Sequence, residues 1–147
     1  MIGMSEDRLK HSYAVAHFAS RAGENLFGWS EEKCQEIFVM GFLHDIGYEF
    51  VSDQRDHASK GGEILQRMGF KHWEEIAQHG DASASMSDEL FVLNFADMCT
   101  MPDGLCCPMN YRLKDIGERY GQDSEQYIEA KKLVEVLTKR HHELLGK

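Results

Sequence analysis

Four residues in this chain combine metal-ligand chemistry with an apolar setting. His44 and Asp45 stand side by side in GFLHDIGY, inside an otherwise apolar run. His11 lies in RLKHSYAVA, on a stripe with Val15, Phe18 and Ala22 at helical spacing. Asp97 lies in VLNFADMCT, on a stripe with Leu90, Leu93 and Asn94. Charged groups are costly to bury unless something pairs with them. Imidazole and carboxylate are the donors of zinc, iron and manganese sites, so a divalent cation would compensate Asp45 and Asp97. Each residue alone has a plainer reading. His11 fits a hydrogen-bonded core histidine, Asp97 a buried cap or ion-pair partner, and His44 a helix end where an imidazole meets the negative dipole. Together they place an acid or an imidazole from three separate helices toward one interior.

Those helices are legible from caps and periodicity. Ser5 with Asp7 and Arg8 opens the first, which is expected to run to about Gly23. Ser30 followed by Glu31, Glu32 and Lys33 starts a second that ends near His44. A third is expected from Asp56 through Met68, with Gly69 as its stop. A short helix follows around Trp73 to His79, and Ser87 opens another that carries Asp97. The last spans roughly Ser124 to Leu145, with Ile128, Leu133, Val136 and Leu137 as its apolar stripe. No stretch sustains a period of two. The expectation is an all-α, single-domain helical bundle of about six helices over residues 1–147. Pro102 and Pro108 bracket one irregular segment, MPDGLCCPMN, a rim for any pocket near Asp97.

Composition narrows the function classes. The 147 residues suit one domain, and 42% hydrophobic with 28% charged residues is ordinary for a globular protein. A net charge of −9 argues against binding a nucleic-acid polymer or an anionic membrane. A small anionic substrate remains compatible, because a bound metal inverts the local field. Cys34, Cys99, Cys106 and Cys107 fit neither a zinc motif nor a disulfide framework and read as reduced thiols. MIGMSEDRLKHS lacks the apolar core of a signal peptide, and no apolar run approaches a membrane span. A cytoplasmic protein is expected.

The ordered set of His11, His44-Asp45 and Asp97, each in its helical context, resembles the HD domain superfamily of metal-dependent phosphohydrolases. The resemblance covers roughly residues 5–105. It implies that these four residues hold a metal in a helical bundle. Two further histidines, His57 in DHASKGGEILQRMGF and His79 in IAQHGDAS, fall where two-metal members carry extra ligands. The implied second ion takes Asp45, His57 and His79, with the Asp45 carboxylate bridging. The Gly61-Gly62 pair would let the His57 helix pack closely. The arrangement is similar to that of small bacterial HD hydrolases that split symmetrical dinucleoside tetraphosphates. Those carry a glycine and a proline after the third histidine, whereas this chain has His57-Ala58-Ser59-Lys60. The Gly-Tyr-Pro signature of the cyclic-dinucleotide phosphodiesterases does not occur here.

The implied function is a metal-dependent phosphohydrolase acting on a nucleotide or related phosphoester through a metal-bound hydroxide, with Asp45 as the catalytic residue. Two divalent ions are implied, with iron, manganese, zinc, cobalt, nickel and magnesium all compatible. Lys60, Arg112 and Lys114 are the candidates for binding phosphate oxygens, with ordinary solvation as the plainer reading of each. Asp81 is a candidate to orient His79. His17 reads as structural or surface, and His72, His141 and His142 as solvent-exposed. Two other readings stay open: a metal-binding regulatory or nucleotide-binding module without turnover, and a di-iron oxygenase. The oligomeric state is open, a homodimer included.

Overall fold

The computed structural model describes residues 5–51, 56–83 and 85–146. Among these residues seven α-helices follow in order: α1 Glu6–Phe27, α2 Glu31–Leu43, α3 His57–Arg67, α4 Trp73–Gln78, α5 Asp88–Met98, α6 Met109–Tyr120 and α7 Glu125–Leu145. A 3-10 turn, Ile46–Phe50, follows α2. Among the described residues no strand forms, and one antiparallel bridge joins Thr100 to Cys106. No helix among them is long and apolar enough to cross a membrane.

Serine starts the four long helices that sequence anticipated. Ser5 Oγ accepts from the backbone N–H of Arg8, Ser30 from Lys33, Ser87 from Leu90 and Ser124 from Tyr127. Each cap satisfies an orphan donor and is worth about 1 kcal/mol. Acidic residues in the first turn complement the helix dipole in all four.

The bundle is organised around α5. Residues 90 through 96 of this helix are buried, so it is apolar all round and lies at the centre. Val15, Ala19, Ile37, Met40, Leu65, Ile76 and Leu137 pack into one core with it. Small residues let α1 and α2 close tightly: a Cβ at Gly41 would come within 2.8 Å of Ala16 Cα. The helix of His57 uses the same device. Gly61 faces Gly47, and Gly62 faces Ala77 and the Trp73 carbonyl.

Five expectations are corrected. α1 continues past Gly23 to Phe27, and Gly28 ends it at φ 66° in the left-handed region. Helix α6 lies where no helix was expected, although Met109, Leu113 and Ile116 recur at helical spacing after Pro108. On α7, Ile128 and Val136 are exposed, because the inward face is the narrower row of Ala130, Leu133 and Leu137. His72 is buried, not exposed, between the carboxylates of Glu36 and Glu75 at 3.6 Å each. His141 is also partly covered, against the ring of Phe95. His17 is exposed beside the rings of Tyr13 and Phe38.

Candidate metal centre

Two of the histidines end helices, and that local position aims them. His44 is the C-cap of α2 and His79 the C-cap of α4. Helix ends leave carbonyls without intrahelical partners. His44 Nδ1 donates to the Gly41 carbonyl at 2.6 Å, and His79 Nδ1 donates to the Ile76 carbonyl at 2.6 Å. His11 Nδ1 donates to the Met101 carbonyl at 3.0 Å. A carbonyl only accepts, so each ring carries a proton on Nδ1 and turns Nε2 inward, where a neutral ring offers a lone pair. The helix-end reading of His44 and the ligand reading are therefore one arrangement.

The six candidate ligands meet at one place. Asp45 Oδ2 lies 3.2 Å from His44 Nε2 and 3.6 Å from His11 Nε2. Asp97 Oδ1 lies 2.9 Å from His11 Nε2 and 3.4 Å from His44 Nε2. The other oxygen of Asp45 faces the opposite way, with Oδ1 3.4 Å from His57 Nε2 and 3.5 Å from His79 Nε2. His57 and His79 bring their Nε2 atoms within 3.0 Å of each other. Two groups have donor atoms mutually close enough for one cation: His11, His44 and Asp97, and His44, Asp45 and His79.

Three observations fit this set to a divalent cation. His44 Nε2 is buried with no hydrogen-bond partner, although two carboxylates stand beside it. Atoms that close without bonding each other converge on a point between them. Charge gives the second observation. Burial works against ionising Asp45 and Asp97, but the neighbouring imidazoles, His44 foremost, together outweigh it and hold both carboxyls well below their usual range. Burial likewise opposes a charge on His44, yet Asp45 and Asp97 hold its pKa well above the usual imidazole value. Two buried carboxylates thus stand together among imidazoles, a concentration of negative charge that a divalent ion would match. Third, burial pushes His79 down and keeps it neutral, the form that binds metal.

Supports come from farther along the chain. Asn94 is fully buried on α5, and its Oδ1 accepts from the Gly80 backbone N–H at 2.8 Å. That bond pins the turn directly after His79. Asn94→Ala is expected to destabilise the fold by about 1 kcal/mol, the worth of one lost hydrogen bond, since Gly80 is exposed and its N–H can turn to water. Metal bound on the His79 side should weaken about 10- to 100-fold, as for other lost supports of ligands. Thermal melting and metal titration measure both, and an unchanged affinity would detach Asn94 from the site. The MPDGLCCPMN segment forms part of the rim through Pro102 and holds His11 through the Met101 carbonyl. Cys106 is exposed, whereas burial with the nearby Cys106 and Cys107 raises the Cys99 thiol to about 12, which makes it unreactive.

A cavity of about 430 Å³ opens beside the cluster, lined by His11, Asp45 and His57 on one side. Of the three cationic candidates, Arg112 lines it. Lys60 lies 3.6 Å from Glu63 and Lys114 4.0 Å from Glu118, and neither lines this cavity. The reason is α6: residues two apart on a helix point about 200° apart, so Arg112 and Lys114 cannot share a face. Asp81 lines a second cavity of about 340 Å³ with His57 and His79. Sequence reasoning missed Arg8, Tyr48 and Arg119, which also line the larger cavity. Arg8 was detectable, because it precedes His11 by three residues and so shares its helix face. The family model of the HD domain matches residues 8–101 of the chain. No curated protein and no solved structure matches it significantly.

Proposed function

This chain belongs to the HD domain family, and from that membership we propose that it is a metal-dependent phosphohydrolase acting on a nucleotide or related phosphoester. The observation that carries the reading is the division of Asp45: Oδ2 faces His11 and His44, and Oδ1 faces His57 and His79. A carboxylate placed in that way is suited to bridge two ions. His11, His44, Asp45 and Asp97 would hold one, and Asp45, His57 and His79 the other. Divalent ions supply Lewis acidity to phosphoryl oxygens and lower the pKa of water toward neutrality. The chain's own part is to bury the two carboxylates, fix the imidazole tautomers from backbone carbonyls and leave one open side toward the larger cavity. No serine or cysteine nucleophile is required.

The narrower substrate reading is a dinucleoside polyphosphate, resting on the order of the six ligands. A module without turnover is less well supported, because all six donors are present and three are oriented by backbone carbonyls.

The test is to incubate the purified protein with manganese or ferrous iron and a panel of mononucleotides, dinucleoside polyphosphates and cyclic dinucleotides. Products are separated by chromatography, with parallel aerobic and anaerobic incubations to separate hydrolysis from any oxygenase reaction. Metal-dependent phosphate or phosphoester release is expected for at least one member. A protein that binds metal yet turns over nothing on the panel would overturn this reading in favour of a binding module, and oxygen-dependent products would favour the oxygenase.

A further inference from the structure

Beyond the metal-ligand candidates, the charged lining of the larger cavity is three arginines and one carboxylate, Asp7. The arginines are Arg8, Arg112 and Arg119, in a chain whose net charge is −9. Arg112 and Arg119 are seven residues apart on α6 and so lie on one face, two turns apart. They share a single carboxylate: Asp115 Oδ2 is 3.7 Å from Arg112 Nη1 and 2.9 Å from Arg119 Nε. Arg112 Nε is buried and makes no hydrogen bond. Two forks of donors thus face one acceptor, which leaves donor capacity over.

Arg8 comes from the other side, on α1. Its guanidinium lies 3.8 Å over the ring of Tyr48, and no carboxylate pairs with it among the described residues. The ring of His57 stacks on Tyr48 at 4.0 Å and 10°. Two groups stacked that close to one ring occupy its opposite faces. Tyr48 is therefore filled on both sides and offers no platform for a nucleobase. It ties Arg8 to the metal-ligand candidate His57 instead.

We infer that Arg8, Arg112 and Arg119 bind a second phosphate group of the substrate, so that the substrate carries at least two phosphates, one at the cluster and one at the arginines. The inference rests on the hydrolase reading for the first of those positions. A phosphate carries up to two charges and three acceptor oxygens, which matches converging guanidinium forks better than a single carboxylate does. Two of the three arginines lie outside the residues 8–101 that the family accounts for, on a helix that starts at Met109. The family core supplies the metal ligands, and α6 sets which phosphate compounds fit. Tyr48 is a positioning residue in this arrangement.

Calorimetric titration of the manganese-loaded protein tests it, with methylenediphosphonate and methylphosphonate as probes that cannot be hydrolysed. The wild type is expected to bind the diphosphonate at least about tenfold more tightly, the worth of charge-assisted hydrogen bonds to one added group. Arg119→Gln, at a half-exposed position, and Arg8→Gln should each remove most of that preference. For Arg119→Gln, which touches neither Tyr48 nor a metal-ligand candidate, methylphosphonate affinity, metal content and the helical circular dichroism signal should stay as in the wild type. Equal affinities in the wild type would overturn the inference. A preference that survives both substitutions would also overturn it, by assigning both phosphonates to the metals. Because binding is read without turnover, an intact preference in a protein that hydrolyses nothing would sink the hydrolase reading and leave this anion site standing.

Discussion

Asp45→Ala is expected to lower kcat/KM on any substrate this protein hydrolyses by on the order of 10³-fold, the scale of removing a central electrostatic element from an active site. Bound metal should fall on both sides of the cluster at once. The reason is geometric: Asp45 is the one residue with an oxygen toward each group, at 3.2 Å from His44 and 3.4 Å from His57. Its charge is secured by its surroundings, since burial opposes it and His44, with His57 and His79, outweighs burial. Alanine keeps the Cβ and removes only the carboxylate, and Asp45 lies between α2 and the 3-10 turn rather than inside a helix. The helical signal should therefore be retained. Metal content per chain, circular dichroism and turnover decide the matter together. Wild-type turnover in Asp45→Ala, or full metal content, would rule out the bridging role.

The second large effect is expected at a residue with no functional group. Gly47 follows Asp45 by two positions, and a Cβ there would run into the backbone carbonyl of His57 and lie 2.8 Å from the Gly61 nitrogen. Neither neighbour is the end of a flexible side chain, so relief requires the start of α3 to move. That movement takes His57 away from Asp45 and from its stack on Tyr48. Gly47→Ala should destabilise the protein by about 1–3 kcal/mol or more, as overpacking does. On the proposed two-ion arrangement it should also lower metal content, with the His11 side retained. Gly61→Ala is the matched control: its Cβ would stand 3.2 Å from the nearest atom, so a smaller loss is expected. Thermal melting and metal analysis of both variants check the order. A Gly47→Ala protein with wild-type stability and metal content would show that this approach of backbones is not needed.

The ligands were legible because their chemistry contradicts their setting. A histidine and acids on apolar stripes, in a fixed order, demand compensation wherever they meet, and His11, His44, Asp45 and Asp97 do meet. Serine caps followed by acidic first turns marked the starts of α1, α2, α5 and α7. Helix α6 escaped because Arg112, Lys114, Glu118 and Arg119 make the segment look like solvated chain, and its few apolar residues gain their meaning only against α7 and α5. His72 was misread for the matching reason. Its neighbours in sequence are polar, but burial depends on Glu36, which lies on another helix.

By itself, the sequence determined the helical class, the helix starts, the donor chemistry and the close packing that glycine allows beside His57. These depend on backbone propensity, capping and side-chain type within a few residues of chain. Tertiary structure alone decided that Asp45 turns one oxygen to each group of ligands. It also decided that Tyr48 is enclosed between Arg8 and His57, and that α6 carries Arg112 and Arg119 to the open side of the cluster. Those relations join residues tens of positions apart. Their distances are set by how the packed helices cross, which no local pattern encodes.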